Sequence, residues 1–84
     1  MSKNNTMMFK VEIEKEQKVE SVLIPVFDAL KEKGYNPINQ IVGYFRSGDP
    51  AYITSYNNAR NLIGKLDREE ILEEVLNFYI ENKK

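Results

Sequence analysis

The stretch NPINQIVGYFRSGDP, residues 36–50, contains a whole helix, both of its ends and the start of the next element. Asn36 can accept from the unpaired N–H groups of a first helical turn. Pro37 suits the first helical position, because the N–H it lacks would have no intrahelical partner there. Ile38, Ile41, Val42 and Phe45 recur at helical spacing and predict one apolar stripe. Gly48 is placed to take the left-handed conformation that follows a last turn. Asp49-Pro50 repeats the start signal and predicts a short helical turn over Ala51, Tyr52 and Ile53.

Working toward the N-terminus, Val19, Val22, Leu23, Val26, Phe27 and Leu30 predict a first helix from about Gln17 to Lys33. Pro25 interrupts its backbone bonding and predicts a kink, but the apolar pattern stays in phase across it, so one helix is expected rather than two. Residues 1–16 read as a flexible tail. Met7, Met8 and Phe9 form a brief apolar cluster able to dock. The KVEIEKE alternation of residues 10–16 would suit an edge strand, yet no other segment reads as a partner. Toward the C-terminus, a third helix is expected over Asn57–Lys65, burying Ala59, Leu62 and Ile63. Asp67 and Glu70 have the spacing of a capping box. The last helix, Arg68 to about Glu81, is expected to bury Ile71, Leu72, Val75, Leu76, Phe78 and Tyr79, with Glu69, Glu70, Glu73 and Glu74 outward. The expected fold is therefore all-α: three to four main helices over residues 17–84, preceded by the tail.

Composition narrows the chemistry. The 84 residues carry a net charge of −1 and contain no Cys, His or Trp. Disulfides and Cys/His zinc sites are excluded, and so are Ser-His and Cys-His nucleophile pairs. Carboxylates and lysines remain, without a pocket motif, so a non-enzyme is expected. Gly34, Gly43 and Gly48 lack the spacing of a phosphate loop. The glutamates of the last helix lack the histidines of a bundle metal centre, so no cofactor is expected. A balanced charge and an acidic last helix argue against nucleic acid, and a small helical nucleic-acid-binding regulator is the alternative reading. No apolar run approaches the roughly 20 residues of a membrane helix, and the first residues lack a secretory apolar core. A cytoplasmic protein without membrane insertion is expected.

Size raises a further expectation. Excluding the tail leaves roughly 65 residues, fewer than one core stabilises comfortably. The apolar residues of the last helix also spread around more than one face, which calls for two packing partners. A homodimer would supply the second. The polar-aromatic stretch from Tyr35 to Arg60 has the Tyr and Arg content that partner surfaces favour, and Thr6 is the tail hydroxyl best placed for modification.

The central motifs EKGYNPINQIVGY (residues 32–44) and SGDPAYI (residues 47–53) resemble the IreB family of small regulatory phosphoproteins, with its ReoM-like members. So do Thr6-Met7-Met8-Phe9, Asn58-Ala59-Arg60 and the run from Asp67 to Val75 with its late Tyr79. The resemblance implies a helical homodimer from a Gram-positive bacterium. It implies phosphorylation at Thr6 by a transmembrane Ser/Thr kinase with PASTA repeats, reversed by the cognate phosphatase. It further implies control of peptidoglycan synthesis and cephalosporin resistance, by promoting Clp-protease turnover of the enolpyruvyl transferase MurA. Relatives often carry Pro and a basic residue where this chain has Thr54 and Ser55, and an Arg where it has Gly64. The basic residues left for a partner are Arg46, Arg60, Lys65 and Arg68, with Arg60 and Arg68 foremost.

Overall fold

The structure is a computed structural model that describes the backbone of residues 3–84 and the side chains of residues 14–84. Its main helices are α1 (Lys3–Glu32), α2 (Pro37–Ser47), α3 (Ala59–Ile63) and α4 (Arg68–Lys83). Two single 3-10 turns, Pro50–Tyr52 and Tyr56–Asn58, lie between α2 and α3. No strand occurs among the described residues, as the sequence led one to expect.

α1 is the spine, and α2, α3 and α4 all pack on it. It contributes Val19, Val22, Val26, Ala29 and Leu30 to the core. Ile41 and Tyr44 come from α2, Ala59 and Ile63 from α3, and Ile71 from α4; Ile53 and Leu66 fill in from the connections. The helix begins at Lys3, not near Gln17. The alternation that hinted at a strand also sets Lys10–Glu14 and Glu14–Lys18 at helical i, i+4 spacing, and no Pro or Gly precedes Pro25. α1 runs through Pro25 without a break. The expected docking of Met7–Phe9 lies outside the described side chains.

The signals around α2 are realised. Asn36 accepts from the Asn39 N–H at 3.0 Å, with Pro37 in the first turn. Gly48 adopts φ 75° and donates its N–H to the Tyr44 carbonyl at 2.7 Å. Asp49 caps the following turn by accepting from the Ala51 N–H at 2.9 Å. The buried face is different from the expected stripe. Ile41, Gly43 and Tyr44 turn inward, while Ile38 and Val42 stay 59% and 55% exposed. Gly43 is buried because the Tyr52 ring lies across it: a Cβ at position 43 would sit 2.5 Å from two ring carbons.

The third helix is shorter than expected. Asn57 and Asn58 take left-handed φ values of 51° and 62°, so α3 starts only at Ala59. Asparagine is among the few side chains that tolerate this conformation, and two in a row cannot belong to a right-handed helix. Ala59 and Ile63 are buried as anticipated, and Leu62 is half-buried. Asp67 occupies the N-cap position of α4 with extended backbone, but its side chain makes no capping bond. Glu70 pairs instead with Lys18 of α1 at 3.7 Å, so the expected capping box is not formed. Within one chain α4 buries Ile71; Leu72, Leu76 and Tyr79 remain 43%, 53% and 59% exposed, and Val75 and Phe78 are exposed as well.

Candidate partner-binding surface

The four basic candidates are all exposed, but two are partly committed within the fold. Arg60 leaves the first turn of α3 and its Nε donates to the Ile53 carbonyl at 2.9 Å, closing the loop of residues 53–60. Arg68 opens α4 and its Nη1 donates to the Phe45 carbonyl at 2.7 Å. Its guanidinium also covers Gly48, where a Cβ would stand 2.8 Å from Nη2. A cation at the end of α2 meets the partial negative charge of that helix terminus. Arg46 lies in the same last turn, so Arg46 and Arg68 belong to one corner of the molecule. Arg60 belongs to another, on the 53–60 loop. Lys65 stands on the link between α3 and α4. Each guanidinium has five N–H donors, so Arg60 and Arg68 keep most of theirs for an acidic or carbonyl-rich partner.

The polar-aromatic stretch divides by burial. Tyr44 is core, Tyr52 and Tyr56 are half-buried, and Tyr35 is exposed. Tyr56 forms a small cluster that spacing alone does not reveal. Its hydroxyl donates to Glu32 Oε1 at 2.7 Å, and Lys33 Nζ lies 5.1 Å from the ring centroid. The hydrogen bond to Glu32 holds the phenol proton in place, and the carboxylate charge opposes a phenolate, so Tyr56 titrates above its ordinary value. The cluster ties the second 3-10 turn to the end of α1. The sequence signal was present as Glu32-Lys33 and Tyr56, but residues 24 apart are paired only by the chain path. A second tie is the Gln40 side-chain amide, which donates to the Tyr52 carbonyl at 2.8 Å.

Thr6 falls within the N-terminal part of α1, and its side chain lies outside the described ones. Among the described residues no three carboxylates converge on a possible metal site, and no helix is long and apolar enough to cross a membrane. The exposed surface also carries large apolar side chains. Leu72, Leu76, Tyr79 and Ile80 form a ridge on α4, and Ile38 and Val42 of α2 are exposed beside Leu23, Ile24 and Val75. The built features are thus a corner where Arg46 and Arg68 stand near Asp67 and Glu69, an ordered polar loop and an apolar ridge.

Three similar proteins, each called UPF0297 protein, come from Ruminiclostridium cellulolyticum, Acetivibrio thermocellus and Lachnoclostridium phytofermentans. They are 62%, 59% and 57% identical to this chain, over 98%, 96% and 94% of its length and 93%, 90% and 90% of theirs. The sequence model described as IreB regulatory phosphoprotein matches residues 4–81, a span that includes Thr6, the α2 motif and all four basic candidates. A match over residues 4–81 and relatives of this identity show that the chain belongs to the IreB family of regulatory phosphoproteins.

Proposed function

We propose that this protein is a non-catalytic, cytoplasmic regulator that acts as a homodimer and is switched by phosphorylation of Thr6. The enzymes acting on it are a membrane Ser/Thr kinase with PASTA repeats and its cognate phosphatase. In the unphosphorylated state Arg60, Arg68, Arg46 and Lys65 engage the Clp protease or a MurA-related target and promote Clp-dependent turnover of MurA. Peptidoglycan synthesis and intrinsic cephalosporin resistance are the processes so controlled. A phosphate adds about −1.5 to −2 charge, a large change for a chain whose net charge is −1. That change weakens the partner contact.

The observation that carries this reading is the family match from residue 4 to residue 81, which takes in Thr6 together with the basic residues. The exposed ridge on α4 supports the dimer. The test is phosphate transfer from the purified kinase. Thr6→Ala should take up none, and undiminished uptake would remove Thr6 from the mechanism. Arg60→Ala, with an unchanged helical spectrum, should weaken capture of the Clp or MurA partner; equal capture would remove Arg60.

A further inference from the structure

An apolar groove runs between α1 and α4. Val19, Leu23, Ile24, Val75 and Phe78 form its floor, and the cavity measures about 350 Å³. Its rim is acidic from both sides: Glu16 and Glu20 stand on α1 and Glu74 on α4. Among the described residues no lysine or arginine lines it. Glu16 and Glu20 are one helical turn apart on the same face, where like charges repel. The nearby α1–α4 ion pair, Lys18–Glu70, spends its lysine outside the groove. Ile24 and Phe78 keep about half of their surface in water.

We propose that this groove docks a basic amphipathic helix from a partner protein. Apolar side chains at i, i+3 and i+4 would enter the floor, and flanking Lys or Arg would meet the glutamate rim. The site differs from the ridge assigned to the dimer, which lies about a third of a turn further around α4. A second copy of this chain is the poorer occupant. On the groove side of α4 the charges are Glu70, Glu74 and Glu81, whereas Arg68 and Lys83 flank the ridge, so a copy that offered this side would bring acid to acid. The proposal stands whether or not the Clp and MurA reading holds.

The test uses the full chain and a synthetic leucine–lysine amphipathic peptide of about four helical turns, with a leucine–glutamate peptide of the same leucine pattern as control. Binding is followed by amide NMR shifts. The lysine peptide should bind, more weakly as salt rises, with shifts centred on Val19, Leu23, Val75 and Phe78. The triple variant E16Q/E20Q/E74Q should lose about tenfold in affinity or more. A triple variant on other exposed positions of α4, E69Q/E73Q/E81Q, should keep it. Circular dichroism checks that both variants stay folded. Equal binding of the two peptides, no binding of either, full affinity in the rim variant, or shifts centred on Leu72, Leu76 and Tyr79 would each overturn the proposal. So would binding of the lysine peptide only when the chain is diluted to a monomer, which would give the groove to a second copy.

Discussion

Tyr52 occupies the space that a side chain at position 43 would need, with two ring carbons 2.5 Å from where a Cβ would be. Two effects oppose each other in Gly43→Ala. Alanine is favoured over glycine inside a helix by about 0.8–1 kcal/mol. Forcing a methyl into a filled site costs about 1–3 kcal/mol. A ring that is half-buried and whose backbone carbonyl is held by Gln40 has little room to retreat, so the clash wins. Gly43→Ala should lower the urea midpoint, by a net amount on the order of 1 kcal/mol. Adding Tyr52→Ala should convert the same glycine substitution into a gain, which makes a double-mutant cycle the decisive measurement.

Tyr56 supplies the pH dependence legible at this scale. Its hydrogen bond to Glu32 needs the phenol proton, and the folded value lies above the ordinary tyrosine value near 10. A group raised on folding stabilises the folded state below its unfolded value, and that contribution disappears as pH climbs through the folded value. The tie between the second 3-10 turn and α1 should therefore hold through neutral pH and open in strong alkali. Absorbance titration of the phenolates, with Tyr56→Phe to assign the band, should show Glu32→Gln moving the Tyr56 midpoint down. An unmoved midpoint would mean that the contact does not persist in solution.

At the scale of elements, Arg68 is the informative residue, because it belongs to two helices at once. It starts α4 and closes the end of α2 through the Phe45 carbonyl. Arg68→Ala removes a charge-assisted bond at an exposed helix end, a loss of about 0.5–1.5 kcal/mol. The measurement is thermal unfolding, with Arg46→Ala, in the same corner, as the comparison. A larger loss for Arg68→Ala than for Arg46→Ala separates the clamp from general charge. Any weakened partner capture by Arg68→Ala must then be compared with Arg46→Ala before it is assigned to direct contact.

The elements also differ in how far the sequence determined them. The ends of α2 were readable because Asn36, Pro37 and Gly48 act on their own backbone neighbourhood. The start of α1 was not, since alternating charges satisfy both a two-residue and a four-residue repeat. α3 is shorter than its spacing suggests because asparagine suits a cap, a helix or a left-handed position, and Asn57 and Asn58 take the last of these within the loop that Arg60 closes. The capping box is not formed: Asp67 makes no side-chain capping bond, and Glu70 stands beside Lys18 of α1, a neighbour that local spacing cannot show. Among the site residues, exposure of the four basic candidates was anticipated, but the carbonyls that hold Arg60 and Arg68 come from distant turns.

For the whole molecule the decisive fact is how little of α4 is covered. Leu72, Leu76, Tyr79 and Ile80 follow the i, i+4, i+7, i+8 spacing of a second seam, away from the face that holds Ile71 against the core. A helix with two apolar seams in so small a chain has one of them left for another molecule, and a symmetric pair covers both copies of it in one step. If that pairing carries part of the stability, unfolding must depend on concentration, because association draws the folded state forward by mass action. Light scattering should give twice the 9.8 kDa chain mass, and the unfolding temperature should rise as the protein is concentrated. Leu76→Glu places a charge in the middle of the seam without touching the monomer core, so it should yield a folded monomer of lower stability whose unfolding no longer responds to concentration. A wild-type chain that stays monomeric in scattering, with a melting temperature indifferent to concentration, would leave the seam to a different partner and remove the dimer from the regulatory scheme.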